Sequence, residues 1–303
     1  MRMARSIQTS STPTVLPMQS AGATMRILRK RVGSVFAHFT LIVFAVLFML
    51  PFYWMVVSSL KTNQQMFTNP IQWWPLMPQW QNYPNAINYP NFPFLRFLGN
   101  SVFYSIAVTI GTVVSCAAVG YGFARLRFPF RRTLFYITIA TLMIPFIVTF
   151  IPTYIMFRNL GMLGDYRPLI IPAFLGNAFY IFMMRQFFLG LPNELADAAR
   201  VDGAGHFRTF FQVMLPLVKP ALMVVAVFTF LGTWNDFLGP LIYLSDNRLY
   251  PLSLGLYAFR AQRTTEWALM MAASTITTLP LIAIFFFTQR YFLEGIKLTG
   301  LKG

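Results

Sequence analysis

Six stretches of this chain stay apolar for about twenty residues or more: 39–60, 101–124, 134–157, 169–189, 216–244 and 268–290. A helix rising 1.5 Å per residue needs about 20 residues to cross a 30 Å hydrocarbon core. Lipid offers no partners to backbone N–H and C=O groups, so such runs must satisfy them internally. The fold class expected is therefore an all-α polytopic membrane protein with six transmembrane helices. Pro51 is expected to kink the first run, and Pro145, Pro152, Pro172 and Pro280 fall inside later ones. The 216–244 run is longer than a bilayer requires. Composition agrees: 56% of residues are hydrophobic and 11% are charged, against about 25% charged in soluble domains.

The formal net charge is +16. In a soluble protein that balance suggests nucleic acid. Between apolar spans it has a simpler cause, since Lys and Arg are retained on the cytoplasmic side during insertion. The N-terminus, the 125–132 turn, the 185–219 region and the C-terminal tail carry 17 of the 24 basic residues, against seven on the opposite side. Both termini and the 191–220 stretch are thus expected in the cytoplasm, with no nucleic-acid partner. Residues 1–24, rich in Ser, Thr, Pro, Gln and Met, read as a disordered extension to a 25–303 transmembrane domain, and Met25 is a candidate start. The long apolar run that follows is not a cleaved signal. Cys116 lies in an apolar run as a packing residue, and neither it nor His38 nor His206 has neighbours to make a metal site. Trp73, Trp74 and Trp80 in the 61–96 loop suit a membrane interface, as plain connector or docking lid.

The longest polar interval between the runs is Leu191–Pro220, which holds three of the eight acids, Glu194, Asp197 and Asp202. Asn193 is expected as an N-cap with Glu194 in the first turn, where the helix dipole favours a negative charge. Asp202-Gly203 is a turn dipeptide. A second helix follows, with Phe207, Phe210, Phe211 and Met214 at i, i+3, i+4 and i+7 as one apolar stripe. Pro216 begins the next span. Such a segment serves either as a docking element inserted into a groove of another protein or as an interfacial connector.

Asp236, beside Asn235, is an acid inside an apolar run. Intramembrane acids point to a pathway or gate role, or else to capping and hydrogen bonding near a span end. Arg185 is expected to snorkel to the cytoplasmic face. No P-loop is present, so the chain does not hold ATP in that manner. An intramembrane enzyme would need paired carboxylates or a Ser/His pair at one depth, and Asp236 has no acidic partner in a span.

The central stretch resembles the EAA loop of ABC-importer permeases, E-A-A, three residues, G, nine residues, I-x-L-P. Here it reads Asp197-Ala198-Ala199, three residues, Gly203, nine residues, Val213-Met214-Leu215-Pro216, with Asp for Glu and Val for Ile. Tyr121-Gly122-Phe123-Ala124-Arg125-Leu126-Arg127-Phe128, Asp202-Gly203-Ala204, Trp234-Asn235-Asp236-Phe237 and the closing Gly295 to Gly303 are similar to the carbohydrate-uptake branch, the group of the maltose permease's smaller subunit. The resemblance covers about Met25 to Gly303. It implies a type I importer of the bacterial or archaeal plasma membrane, working by alternating access. A second, usually non-identical permease would complete the pathway. A cytoplasmic ABC ATPase dimer would hold ATP and Mg, and an extracytoplasmic binding protein would deliver the solute. This chain would bind no cofactor and catalyse nothing. Its coupling loop, 191–215, would dock in the ATPase through Glu194, Asp197, Ala198, Ala199, Asp202, Gly203, Ala204, Leu215 and Pro216, the ion pair falling to Asp197 or Glu194. Tyr250, Pro251, Leu252, Ser253, Leu254 and Gly255 would contact the binding protein, and the tail from Lys297 the ATPase. The solute expected is a sugar or oligosaccharide. Glycerol-3-phosphate, a polyol or another small solute is the alternative, a phosphorylated one favouring outward arginines such as Arg260 and Arg263.

Overall fold

The computed structural model describes residues 20–90, 92–259 and 266–300, and those residues form helices and loops without a strand. Most of the expected 1–24 extension, Arg260, Arg263 and the last three residues lie outside them. The chain divides into two units between Trp54 and Met55. The first unit is the body of α1 (Ser20–Ser59), helical from Ser20, so its helix begins before the expected end of the extension. From Val35 to Leu50 its large apolar side chains are exposed, as a lipid-facing helix requires.

The second unit begins with the last turn of α1. It continues through α2 (Asn82–Ile87), α3 (Phe94–Arg125), α4 (Arg131–Ala140), α5 (Phe146–Asn159), α6 (Arg167–Ile170) and α7 (Ala178–Gly190). Then come α8 (Asn193–Val201), α9 (His206–Arg208), a π-helical segment (Thr209–Met214), α10 (Leu215–Leu217) and α11 (Lys219–Trp234). Finally α12 (Leu238–Tyr243) and α13 (Leu252–Gly255) precede α14 (Trp267–Gly300). The helix α3 is the centre, packed against both α7 and α11. Small residues let α3 and α7 approach. A Cβ on Gly120 would stand 2.7 Å from Met184 Cβ and 3.1 Å from the Arg185 backbone nitrogen.

Four segments are long and apolar enough to span: Gly33–Ser59, Phe94–Arg125, Arg167–Gly190 and Trp267–Gln289. Two further pairs qualify only as bent spans, so the described residues hold four crossings, or six if each pair counts as one. The expected 134–157 run bends by 101° between Met143 and Phe146. Ile144 is extended there, at φ −84° and ψ 114°, because a following proline disfavours the helical region. The expected continuous 216–244 span is not continuous. It turns by 78° at Val218, and α11 stops at Trp234, ahead of Asn235 and Asp236. The fourth run also starts irregularly, through α6 and a 3₁₀ segment, before the Asn177 side chain caps α7 by accepting from the Phe179 and Tyr180 N–H groups. Helix α14 continues to Gly300, where a Gly/Lys tail was expected.

Candidate functional site

The polar stretch folds as two short helical pieces at the end of the α3–α7–α11 core. Leu191 and Pro192 are extended, and α8 starts at Asn193. Asn193 is not the N-cap; Pro192 occupies that position without a side-chain bond. The Asn193 Oδ1 atom instead accepts from Arg125 Nη1. Arg125 closes the junction further. Its Nε and Nη2 donate to the Phe188 carbonyl at 3.1 and 2.6 Å, and Nη2 donates to the Leu191 carbonyl at 2.5 Å. Carbonyls at a helix C-terminus lack intrahelical partners, and a guanidinium satisfies several at once. Arg125 therefore ties the end of α3 to the entrance of α8.

Helix α8 buries Ala196 and Ala199 and turns Glu194, Asp197 and Ala198 outward. Ala196 joins a core cluster with Tyr121, Phe188, Phe210 and Met214, so the small inward residues let α8 lie close on the bundle. Asp197 pairs with Arg200 at 3.2 Å with both side chains exposed. Such a pair is worth little in water and is easily exchanged. Glu194, exposed at the start of the helix, has no side-chain partner among the described residues. Gly203 ends α8 at φ +78°. The Ala204 N–H reaches the Ala199 carbonyl at 2.9 Å and the Gly203 N–H reaches Arg200 at 3.0 Å, the bonds of a Schellman motif. Nothing lies within 4 Å of a Cβ added at Gly203, so backbone conformation alone selects glycine.

The apolar stripe divides. Phe210 and Met214 are buried, but Phe207 is 83% exposed and Phe211 is exposed as well. The expected stripe assumed 3.6 residues per turn; residues 209–214 wind as a π-helix, whose wider turn separates positions three apart, so Phe207 pairs with Phe211 outside and Phe210 with Met214 inside. Val201, 87% exposed, adds to the outward apolar surface, which lies on the same loop as the exposed acids Glu194, Asp197 and Asp202. Of the remaining expected docking residues, Gly203 and Pro216 are exposed, Ala204 and Leu215 half-buried, and Ala199 faces the core.

Asp236 is engaged. Tyr104 Oη donates to its Oδ2 at 2.7 Å, and the Gly239 N–H donates to Oδ1 at 3.1 Å. Of the two roles open to it, capping and hydrogen bonding are what the geometry displays, while Asn235 bonds the Leu231 carbonyl. The expected binding-protein segment is largely inside. Pro251, Leu252, Leu254 and Gly255 are buried, and only Tyr250 and Ser253 are half-buried. The cause is packing against the start of α3: the Leu252 N–H donates to Ser101 Oγ at 2.7 Å, and Asn100 Nδ2 donates to the Arg248 and Tyr250 carbonyls. Of those four, Leu254 and Gly255 reach the wall of an adjacent cavity. The cavity measures about 650 Å³ and is lined by Arg96, Arg248, Asn247 and Tyr257 among others.

Sequence reading missed Arg125 as a structural tie, naming it only among the basic residues and within the Tyr121–Phe128 stretch. It also missed Lys61, whose side chain is fully buried and whose Nζ donates to the Gln72 carbonyl at 2.5 Å. Burial pushes that ammonium's pKa below its ordinary value.

Residues 107–298 match the family described as binding-protein-dependent transport system inner membrane component. An arabinooligosaccharides transport system permease protein of Halalkalibacterium halodurans is 34% identical over 73% of this chain and 81% of its own length. An sn-glycerol-3-phosphate transport system permease protein of Yersinia enterocolitica is 33% identical over 86% of this chain and 95% of its own. Among solved structures, a bacterial ABC transporter involved in import of the acidic polysaccharide alginate has a chain of the same fold, with TM-score 0.76 and 21% identity over 91% of this chain and 100% of that one.

Proposed function

The chain belongs to the family of binding-protein-dependent transport system inner membrane components, and on that premise we propose that it couples to its ATPase through α8, the Gly203 turn and the π-helical segment. The observation that carries this reading is the outward face of that loop. Exposed Glu194, Asp197 and Asp202 sit with exposed Val201, Phe207 and Phe211 on a unit pinned to the bundle. Large apolar groups held out beside acids fit a cleft that offers basic residues and an apolar floor. Glu194 meets the partner without first breaking a bond, whereas Asp197 exchanges Arg200 for it. The loop faces the cytoplasm by the basic-residue count, and both termini lie on that side.

As an importer permease the chain forms its pathway with a second permease, receives solute from an extracytoplasmic binding protein, and alternates its access as the ATPase dimer closes and resets. It holds no nucleotide and performs no chemistry. The solute is a sugar or oligosaccharide, in line with the arabinooligosaccharide permease it resembles. One observation favours a second reading, an anionic solute such as glycerol-3-phosphate: Arg96 and Arg248 line the 650 Å³ cavity with no acid among its lining residues. Arg260 and Arg263, also considered for that role, lie outside the described residues.

The test is ATP-driven uptake by the reconstituted importer. Gly203→Val is expected to insert normally and to lose uptake, because a β-branched residue at φ +78° disrupts the turn. Asp197→Lys is expected to lower co-purification of the ATPase. Full uptake by a well-expressed Gly203→Val variant overturns the coupling reading.

A further inference from the structure

Where α4 meets α7, Arg185 lies within electrostatic reach of Arg131, and neither Arg131, Arg132 nor Arg185 is paired with a carboxylate among the described residues; Arg131 Nη1 donates to the Leu126 carbonyl at 2.9 Å. The Arg185 Cζ lies 4.1 Å from the centre of the Phe135 ring, and its Nε is buried with no hydrogen-bond partner. The charged and phenolic groups acting on it are Arg131 and Tyr136, and the first repels it. Arg132 Nε bonds the hydroxyl of Tyr136, the same phenol that acts on Arg185, at 3.2 Å. No acidic residue occurs between Arg96 and Asp165, and Asp165 is bound to Arg167. Like charges held together with an unfilled buried donor call for an anion.

The surroundings say which kind. Helix α4 buries none of its residues. Phe130 (77% exposed), Tyr136 and Ile137 present an apolar wall beside the guanidiniums. The α4–α5 pair is one of the bent apolar segments suited to lipid. A soluble anion would gain nothing from that wall, whereas a phospholipid places its phosphate at the arginines and its acyl chains along α4. Snorkelling, expected for Arg185, leaves its buried, unpaired Nε beside the like charge of Arg131 unexplained.

We propose that Arg131, Arg132 and Arg185 form a binding site for the phosphate of an anionic phospholipid, with Phe130, Tyr136 and Ile137 lining the path of its chains. Basic pockets between membrane helices recognise such headgroups at a few-fold in affinity per charge. The site requires only that the chain sits in a bilayer, so it does not depend on the coupling reading, and the assay below involves no transport.

The full-length chain, purified in neutral detergent, is titrated with phosphatidylglycerol or phosphatidylcholine, and lipid retention is read by native mass spectrometry. The wild type is expected to keep one phosphatidylglycerol in preference to phosphatidylcholine. Arg131→Gln is expected to weaken retention about five-fold, and Arg131→Gln with Arg185→Gln about 25-fold, from the gain of a basic residue near an anionic surface. Equal retention of the two lipids by the wild type overturns the proposal, as does undiminished retention by the double variant. Displacement of the lipid by an equal concentration of free glycerol phosphate also overturns it, because the site then serves a soluble anion. Should the double variant aggregate, the wild-type preference and the exposed Arg132→Gln variant decide: no preference, or no loss in Arg132→Gln, counts against the site.

Discussion

Replacing Arg125 tests whether the 191–215 loop is held to the bundle by hydrogen bonds or by packing alone. The side chain makes four N–H···O contacts to three acceptors, the carbonyls of Phe188 and Leu191 and the Asn193 amide oxygen. A hydrogen bond from a charged donor contributes about 1.5–3 kcal/mol. Two of the four share one carbonyl, and water competes at the exposed Asn193 contact. The net loss for Arg125→Ala is therefore about 2–4 kcal/mol. Taking about 3 kcal/mol, the ratio of held to released loop falls by a factor of about 150. Lysine keeps the charge but lacks the planar fork. It restores about one contact, so Arg125→Lys should fall between the two. The assay is uptake per ATP hydrolysed by the reconstituted importer, run beside thermal unfolding of the full-length chain. Uptake per ATP is expected to drop more than ten-fold in Arg125→Ala while hydrolysis continues, and unfolding midpoints should rank wild type, lysine, alanine. Wild-type uptake per ATP in Arg125→Ala would refute the reasoning, because the loop would then be held by Ala196, Phe210 and Met214 alone.

Phe210 and Phe207 separate packing from docking. Phe210→Ala is expected to cost about 3–5 kcal/mol of stability. Phe207→Ala should leave stability within about 0.5 kcal/mol and reduce ATPase co-purification, both checked on one preparation. Asp236→Ala strips the Gly239 N–H and the Tyr104 hydroxyl of their acceptor and should cost about 2–4 kcal/mol in thermal or denaturant unfolding. Asp236→Asn keeps an oxygen for Gly239 and should cost less than half as much. Lys61 gives a pH signature. Its pKa is lower in the fold than the ordinary 10.5, so the unfolded chain binds more protons between the two values. The stability of the wild type relative to Lys61→Met should therefore rise with pH towards 10.5 and level off above it. A pH-independent difference in unfolding midpoints would contradict the burial of that ammonium.

Local chemistry explains what was legible in the sequence. Asp202-Gly203 marks its own turn, since glycine takes positive φ cheaply and needs no distant partner. Ala199 was placed with the docking residues, whereas helical spacing from Ala196 turns both alanines to the core. The π-helical segment was not legible, because apolar spacing presupposes the period it is used to infer. Phe207 and Phe211 were consequently placed on a face with Phe210. Pro145 was visible, but whether a proline bends a span slightly or by 101° depends on what packs around it. Asp236 was visible as an anomaly, and its partner Tyr104 lies 132 residues away. The Arg125 contacts span 63 to 68 residues, and no spacing rule connects them.

Those long-range bonds converge on one element. Near its start α3 holds the far loop, through Asn100 to the Arg248 and Tyr250 carbonyls and through Ser101 to the Leu252 N–H. Tyr104, one turn on, holds Asp236. At its end Arg125 holds the entrance of α8. Asn100 and Arg125 stand 25 residues apart in α3, which at 1.5 Å per residue separates these attachments by about 37 Å along the helix. Coupling between distant sites travels through rigid elements packed with few alternatives, and between Gly111 and Gly120 α3 lies too close to its neighbours to slide without moving them. On the coupling reading, a force applied to α8 therefore enters α3 at Arg125 and reaches Asp236 and the 248–252 loop through the same helix. Loosening Arg125 should then change solute release at the far loop, even though no atom of that loop is near the ATPase face.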